Sequence, residues 1–240
     1  MPMTDIATPE KHIIFGADRL ACMKAGHYAK VQAMGRPEAS TGGDNQMSIN
    51  FNDGKWLNQP ANWQANGAAL TVTTDEKTDF WRETYYGFTR DSGHFLGFPT
   101  ADNFTARIRV QGEFRTLYDQ AGLMVRIDER RWMKTGVEFT DGAPFLSTVV
   151  TDGKSDWSVS QPFRELDDFH IRVTIAKGAM RIQASRDGSF WPLLRLAPFP
   201  TAAHYQVGPT ACTPERSGLT VRFSEFSIGP AISTDLHDLS

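Results

Sequence analysis

The chain has 240 residues, of which 40% are hydrophobic, 22% are charged and 11% are aromatic, and its formal net charge is −3. This composition is typical of a globular protein with a sizeable core, and the charge argues against a nucleic-acid partner, which normally requires a concentrated basic surface. No run of about 18 apolar residues is present, so no membrane-spanning helix is expected. The N-terminus also lacks the pattern of a signal peptide. We therefore expect a cytoplasmic chain with no membrane partner.

The N-terminal part differs from the rest of the chain. Residues 1–46 are rich in Ala, Gly and Met, lack regular patterning and end in a cluster of turn-forming residues at 40–45. The sequence predicts a weakly structured extension here, although a short helix near residues 20–32, packed on the domain, is an alternative. Residues 47–230 are predicted to form the main domain, and residues 231–240 a C-terminal tail.

Short segments of alternating apolar and polar residues recur from Ile49 onward, and this period of two indicates β-strands rather than helices. Asp-Gly pairs at 141–142, 152–153 and 187–188 supply tight turns, because glycine tolerates a positive φ. So many strands with one polar side predict an all-β fold of two facing antiparallel sheets. The predicted strands cover residues 68–74, 104–110, 121–128, 131–140, 145–151, 157–160, 169–176, 179–186, 205–212 and 219–228.

The alternation also assigns side chains to the two faces of the central strands. The residues expected to be buried between the sheets are Leu123, Val125, Ile127, Val137 and Phe139. Arg126 and Glu138 each lie an odd number of positions from these residues, so they are expected to point away from the core.

Several segments resemble a known family. The segments are residues 118–128, the spaced residues Trp132, Lys134, Gly136 and Glu138, residues 155–158 and 80–88, and the pair His94-Phe95. Their pattern is similar to that of a family often labelled regulation-of-enolase proteins, which has a concanavalin-A-like lectin/glucanase fold, and the similarity extends over about residues 49–229. The resemblance implies a two-sheet antiparallel jelly roll with one concave sheet, and it implies no established biochemical activity.

The outward face of the central strands is the leading candidate for a site. On neighbouring antiparallel strands, Arg126 and Glu138 are expected to pair on the floor of a groove, walled by aromatic side chains that could stack on sugar rings. The alternative is a surface ion pair that contributes about 0.2–1 kcal/mol to stability and binds nothing. The candidate ligand-binding residues are Arg126, Glu138, Lys134, Trp157, Trp132, Tyr118, Trp81 and Tyr86.

Other acidic residues and histidines carry weaker signals. The segment 165–170 resembles the E-x-D-x-x-E signature of glucanases, but His170 replaces its third carboxylate and the segment is expected to form the turn before a strand. His94 is expected to be a packed strand histidine. The acid pairs that could flank a glycosidic bond are Asp119 with Asp128, Asp119 with Glu138, and Asp79 with Glu83.

Metal and redox chemistry are not expected. The six histidines lack the H-x-H and H-E-x-x-H spacings of zinc sites, and the two cysteines, Cys22 and Cys212, lie far apart and share no motif. We therefore expect no cofactor and no metal, with both cysteines as reduced thiols.

The sequence favours a module that binds a carbohydrate or another small polar ligand. A glycoside hydrolase or lyase that uses groove carboxylates is one alternative, and a cytoplasmic module that binds a protein partner is another. No catalytic residue is assigned.

Overall fold

Two large antiparallel sheets form the domain in a computed structural model that describes residues 47–161, 163 and 165–240. A single turn of 3-10 helix covers Phe51–Asp53. The strands are β1 Met47–Ser48, β2 Lys55–Leu57, β3 Asn62–Ala65, β4 Ala69–Thr73, β5 Phe80–Arg82, β6 Thr89–Asp91, β7 His94–Thr100, β8 Phe104–Gly112, β9 Gln120–Arg126, β10 Arg131–Thr140, β11 Ala143–Asp152, β12 Lys154–Ser160, β13 Asp168–Ala176, β14 Ala179–Ser185, β15 Leu193–Pro198, β16 Tyr205–Cys212 and β17 Thr220–Pro230.

The order of the strands separates the two large sheets. The eight-stranded sheet has the order β15-β14-β13-β8-β17-β4-β3, with β1 added beside β17, and the seven-stranded sheet has the order β12-β11-β10-β9-β16-β7-β2. Among the described strands, β5 and β6 pair only with each other, and they form a hairpin. The predicted all-β class and two-sheet antiparallel architecture are therefore confirmed.

Tight turns set the register of the long hairpins. Asp141 and Gly142 join β10 to β11 with φ of 51° and 79°, the left-handed backbone that a two-residue hairpin turn requires. Arg131 then lies opposite Asp152 and Thr140 opposite Ala143, so the two strands pair over their full length.

The main core lies between the two large sheets, and the predicted faces of the central strands are largely correct. Leu123, Val125 and Val137 are buried there, as expected. Ile127 and Phe139 pack against this core but are only partly buried, so the prediction of full burial was wrong for both. Both residues lie at strand ends, because Ile127 comes directly after β9 and Phe139 is the penultimate residue of β10. Strand ends reach the margin of the core, where side chains are only partly covered.

A second apolar cluster lies on the other face of the seven-stranded sheet. It combines Phe80 and Trp81 of the β5–β6 hairpin with sheet residues such as Met124, Trp132 and Val149. Met124 and Trp132 alternate with residues of the main core, which places them on the opposite side of their strands. The hairpin therefore covers part of a face that the sequence pattern predicted to be open and polar.

The chain after β17 contacts the eight-stranded sheet. The Arg181 guanidinium donates hydrogen bonds to the carbonyl oxygens of Thr234 and Asp235, both at 3.2 Å, and Trp191 donates its backbone N–H to Leu239. The predicted extension, residues 1–46, lies outside the described residues, as does Cys22. Within the described ranges, no helix has the length and apolar character needed to cross a bilayer.

Candidate functional site

A pocket of about 150 Å³ lies between the β5–β6 hairpin and the outward face of the seven-stranded sheet; we call it the hairpin pocket. Its aromatic lining residues are Trp81, Tyr86, Phe88, Tyr118 and Trp157. Its charged and amide lining residues are Asp79, Arg90, Gln120, Lys134, Glu138 and Glu215. Val149 and Pro214 complete it. Because one water molecule occupies about 30 Å³ in the liquid, this volume corresponds to about five water molecules.

Lys134 is the central polar group of the pocket floor. It projects from β10 and is only 7% exposed, and its ammonium donates to Asp79 Oδ1 at 3.0 Å and to Gln120 Oε1 at 2.7 Å. Burial opposes the charged form, but attraction to Asp79 and Glu138 outweighs it and raises the pKa of Lys134 above its usual value. These two hydrogen bonds use two of the three N–H groups of the ammonium.

A hydrogen-bonded chain connects the floor to the wall. The Trp157 indole N–H donates to Ser147 Oγ at 3.0 Å, and the Ser147 hydroxyl donates to Glu138 Oε2 at 2.7 Å. These bonds fix the Trp157 ring on the edge strand β12, where it is 37% exposed. Burial raises the pKa of Glu138, even though Lys134 and Ser147 favour its ionised form, so this carboxyl is protonated at a higher pH than an exposed glutamate.

Aromatic rings from the hairpin form the opposite wall. Tyr86 stacks on Phe88 with ring centroids 5.4 Å apart, and its edge meets Trp81 at 5.6 Å. The Tyr86 and Tyr118 hydroxyls share a hydrogen bond of 3.2 Å, which, together with burial, raises the pKa of Tyr118 to about 12. The pocket therefore combines aromatic walls with a buried, hydrogen-bonded polar floor.

The predicted pairing of Arg126 with Glu138 was wrong. Both point outward from neighbouring strands, as expected, but in the register of β9 and β10 Arg126 lies opposite Trp132, whereas Glu138 lies opposite Gln120. Arg126 and Glu138 are therefore six residues apart along the strand direction, a distance of about 20 Å. Arg126 instead forms two hydrogen bonds of 2.8 Å to Asp91 and fastens β6 to the sheet.

Trp132 was predicted as a surface on which a ligand stacks, and this prediction was also wrong. The side chain is fully buried, with its ring 6.0 Å from that of Phe80, because the hairpin covers this end of the sheet. The other six candidates line the hairpin pocket together: Glu138, Lys134, Trp157, Tyr118, Trp81 and Tyr86.

Sequence reasoning missed polar residues of the pocket such as Asp79 and Gln120, and also Ser147, which donates to Glu138 but does not itself line the pocket. The sequence pattern assigns Asp79 only to an acid pair with Glu83, and it assigns no role to Gln120 or Ser147. Gln120 and Ser147 could have been found from the face assignment, because each lies on a neighbouring strand with the same outward parity as Glu138. No sequence signal places Asp79 there, since it comes from the segment before the hairpin.

The other acidic candidates have structural partners. Asp119 is fully buried and accepts hydrogen bonds from Arg216 at 2.8 and 2.5 Å, while Asp128 pairs with Arg131 at the turn between β9 and β10. Glu83 lies at the tip of the hairpin, 3.3 Å from Lys154. None of these three carboxylates lines the hairpin pocket.

The histidine candidates are also explained by packing. His94 is buried, its Nδ1 bonds the carbonyl oxygen of Asn58 at 2.7 Å, and its Nε2 accepts from the Asp75 backbone N–H, as expected of a packed strand histidine. His170 lies on β13 and contacts Glu225, and Glu165 precedes that strand, as predicted. Within residues 47–161, 163 and 165–240, no group of three His, Cys, Asp or Glu residues is placed to hold a metal ion.

Comparisons with known proteins agree with this fold. A family model described as protein of unknown function (DUF1349) matches residues 56–231. The Saccharomyces cerevisiae protein named Regulation of enolase protein 1 is 58% identical over 190 residues, which cover 79% of this chain and 96% of that protein. A crystal structure of a functionally unknown protein from Saccharomyces cerevisiae has a TM-score of 0.75 at 56% identity and covers 77% of this chain and 100% of that one.

A more distant structure shares the fold alone. The GH43 protein BlXynB from Bacillus licheniformis has a TM-score of 0.57 at 12% identity, with 76% of this chain and 39% of that chain covered. The match over residues 56–231 and the high identity to the yeast protein agree with the resemblance seen in the sequence. The chain therefore belongs to the DUF1349 family.

Proposed function

We propose that this protein is a carbohydrate-binding module that holds one sugar ring in the hairpin pocket. The observation that carries the proposal is the composition of the pocket: five aromatic side chains surround a floor of buried polar groups that already hydrogen-bond one another. A sugar ring presents C–H groups on its faces and hydroxyls at its edge. Aromatic walls suit the faces, and a few fixed polar groups suit the hydroxyls.

The floor is organised before a ligand arrives. Lys134 is fixed by Asp79 and Gln120, and Glu138 by Ser147, so binding need not order these side chains. The ammonium donates hydrogen bonds, the Gln120 amide both donates and accepts, and Glu138 donates when it is protonated. Such a mixture matches hydroxyl groups, which also donate and accept.

A glycan array of neutral and acidic mono- to trisaccharides tests the proposal, followed by calorimetry with the sugars that bind. We expect Trp157→Ala to weaken binding by about tenfold, the effect of losing one stacked ring. Glu138→Gln should weaken binding while the fold stays intact. Trp63→Ala is a matched control, because Trp63 is 39% exposed but lies on β3 of the other large sheet. Absence of binding to every sugar, or equal loss in the Trp63 variant, contradicts the proposal.

Glycoside hydrolysis is a second candidate, and one observation favours it. Asp79 and Glu138 both line the pocket, and the raised pKa of Glu138 suits a general acid. A screen with chromogenic glycosides distinguishes the two functions. Turnover that disappears in Glu138→Gln would establish the enzyme, whereas binding without turnover supports the module.

A contact with a protein partner is a third candidate. The name of the yeast relative refers to regulation of enolase, and that description belongs to the yeast protein. In this chain, the most exposed large side chain of the hairpin, Tyr85, could serve such a contact. Failure of the glycan array would favour this function over sugar binding.

A further inference from the structure

A second aromatic surface lies at the tip of the β5–β6 hairpin. It is an open hollow of about 610 Å³, which we call the tip depression. Three of its lining residues also line the hairpin pocket: Trp81, Tyr86 and Trp157. Its remaining lining residues are Thr84, Tyr85, Ser155 and Asp156. The two hollows therefore meet at shared aromatic side chains.

Tyr85 is the main aromatic group that the tip depression adds. Its side chain is 94% exposed, and its ring meets the Tyr86 ring edge-on with centroids 5.1 Å apart. Its φ is 62°, a left-handed conformation that costs free energy for any residue except glycine. The exposed ring thus contributes little to the core, while its backbone conformation is strained, a combination that is common at binding sites.

The tip is nevertheless well fixed. The Glu83 backbone N–H donates to the carbonyl oxygen of Phe88, and the Gly87 N–H donates to that of Glu83, both at 2.7 Å. The Trp81 indole N–H donates to the Thr84 carbonyl oxygen at 3.0 Å. These bonds close the loop on both sides of Tyr85 and constrain its backbone.

We infer that the tip depression is a second sugar subsite, and that the ligand of the hairpin pocket is therefore an oligosaccharide rather than a free monosaccharide. The inference rests on the proposed function. One sugar unit occupies the hairpin pocket, and the next passes over the shared Tyr86 and Trp157 rings to lie against Tyr85. Thr84 and Asp156 supply polar atoms for its hydroxyls at the margin of the hollow.

Calorimetry with matched series of sugars tests this inference. The probes are glucose, cellobiose and cellotriose; xylose, xylobiose and xylotriose; and mannose, mannobiose and mannotriose. For the series that binds, we expect the disaccharide to bind about tenfold more tightly than the monosaccharide, because one further ring is stacked. Tyr85→Gly should remove this gain and leave the affinity for the monosaccharide unchanged. Glycine accepts the left-handed φ, so this variant should fold as well as the wild type.

Each outcome has a separate meaning. Phe190→Ala is the matched control, since Phe190 is 57% exposed in the loop between β14 and β15 and should not affect binding. Equal affinities for mono- and disaccharides, or an unchanged gain in Tyr85→Gly, would overturn the second subsite while leaving the hairpin pocket as a sugar site. Absence of binding by every member of the three series and by every sugar of the glycan array would overturn the inference together with the proposed function.

Discussion

Replacing Lys134 with methionine removes the buried ammonium from the pocket floor and leaves a side chain of similar length. Asp79, whose side chain is 11% exposed, then keeps only the backbone N–H of Phe80 as a donor to its Oδ1. Removal of one partner of a buried ion pair typically costs about 3–5 kcal/mol. That is a large part of the about 5–15 kcal/mol by which a domain is stable, so we expect a marked loss of stability in Lys134→Met.

The double variant Asp79→Asn with Lys134→Met tests the cause of this loss. Because both charges are then absent, we expect it to be about 2 kcal/mol more stable than Lys134→Met alone. Urea unfolding followed by tryptophan fluorescence at neutral pH measures both differences. Arg115→Met is the control, since Arg115 pairs with Glu113 at 2.9 Å but both side chains are 73% exposed, and such pairs contribute about 0–1 kcal/mol. A loss in Lys134→Met no larger than in this control would refute the buried pair.

Three further substitutions test the pKa of Glu138, the partial burial of Phe139 and the close strand contact at Gly136. Because the pKa of Glu138 is raised in the folded protein, the folded state binds more protons, and wild-type stability falls as pH rises above the unfolded-state pKa of about 4. Glu138→Gln removes this fall, so urea titrations should show its stability increasing relative to wild type as the pH is raised from about 4. Phe139→Ala should lower the free energy of unfolding by about 1–2 kcal/mol. Phe169→Ala should lower it by about 3–5 kcal/mol, because only Phe169 is fully buried. Equal losses of stability in thermal unfolding would contradict this difference. Gly136→Ala should lower the free energy of unfolding by about 1–3 kcal/mol, because the added Cβ overlaps the carbonyl oxygen of Ala121 on the neighbouring strand. An unchanged melting temperature would contradict the close approach of the two strands.

The sequence predicts the strands best where apolar and polar residues alternate along the chain. The prediction for residues 131–140 coincides with β10, and residues 205–212 coincide with β16. β7, in contrast, has apolar residues next to each other, such as Phe95 and Leu96, and so shows no alternation, and β15 is a partly exposed edge strand. Neither pattern distinguishes a strand from a loop in the sequence.

The candidate site could be predicted only in part. Alternation identified the outward parity of Lys134 and Glu138, and both line the hairpin pocket. Alternation does not say how far along the strands two residues lie, which is why Arg126 was wrongly paired with Glu138. The position of the β5–β6 hairpin depends on long-range contacts, such as that between Arg126 and Asp91, so the burial of Trp132 could not be predicted.

Binding of a sugar ring in the hairpin pocket can be followed through the indole N–H signals of the six tryptophans. We would titrate protein labelled with nitrogen-15 with the tightest-binding member of the sugar series and assign the signals with Trp→Phe variants. We expect the Trp157 signal to shift in proportion to occupancy, while the signals of Trp63 and Trp191, which do not line the pocket, stay in place. A Trp157 signal that does not move while sugar binds, or shifts confined to Trp63 or Trp191, would contradict sugar binding in the hairpin pocket.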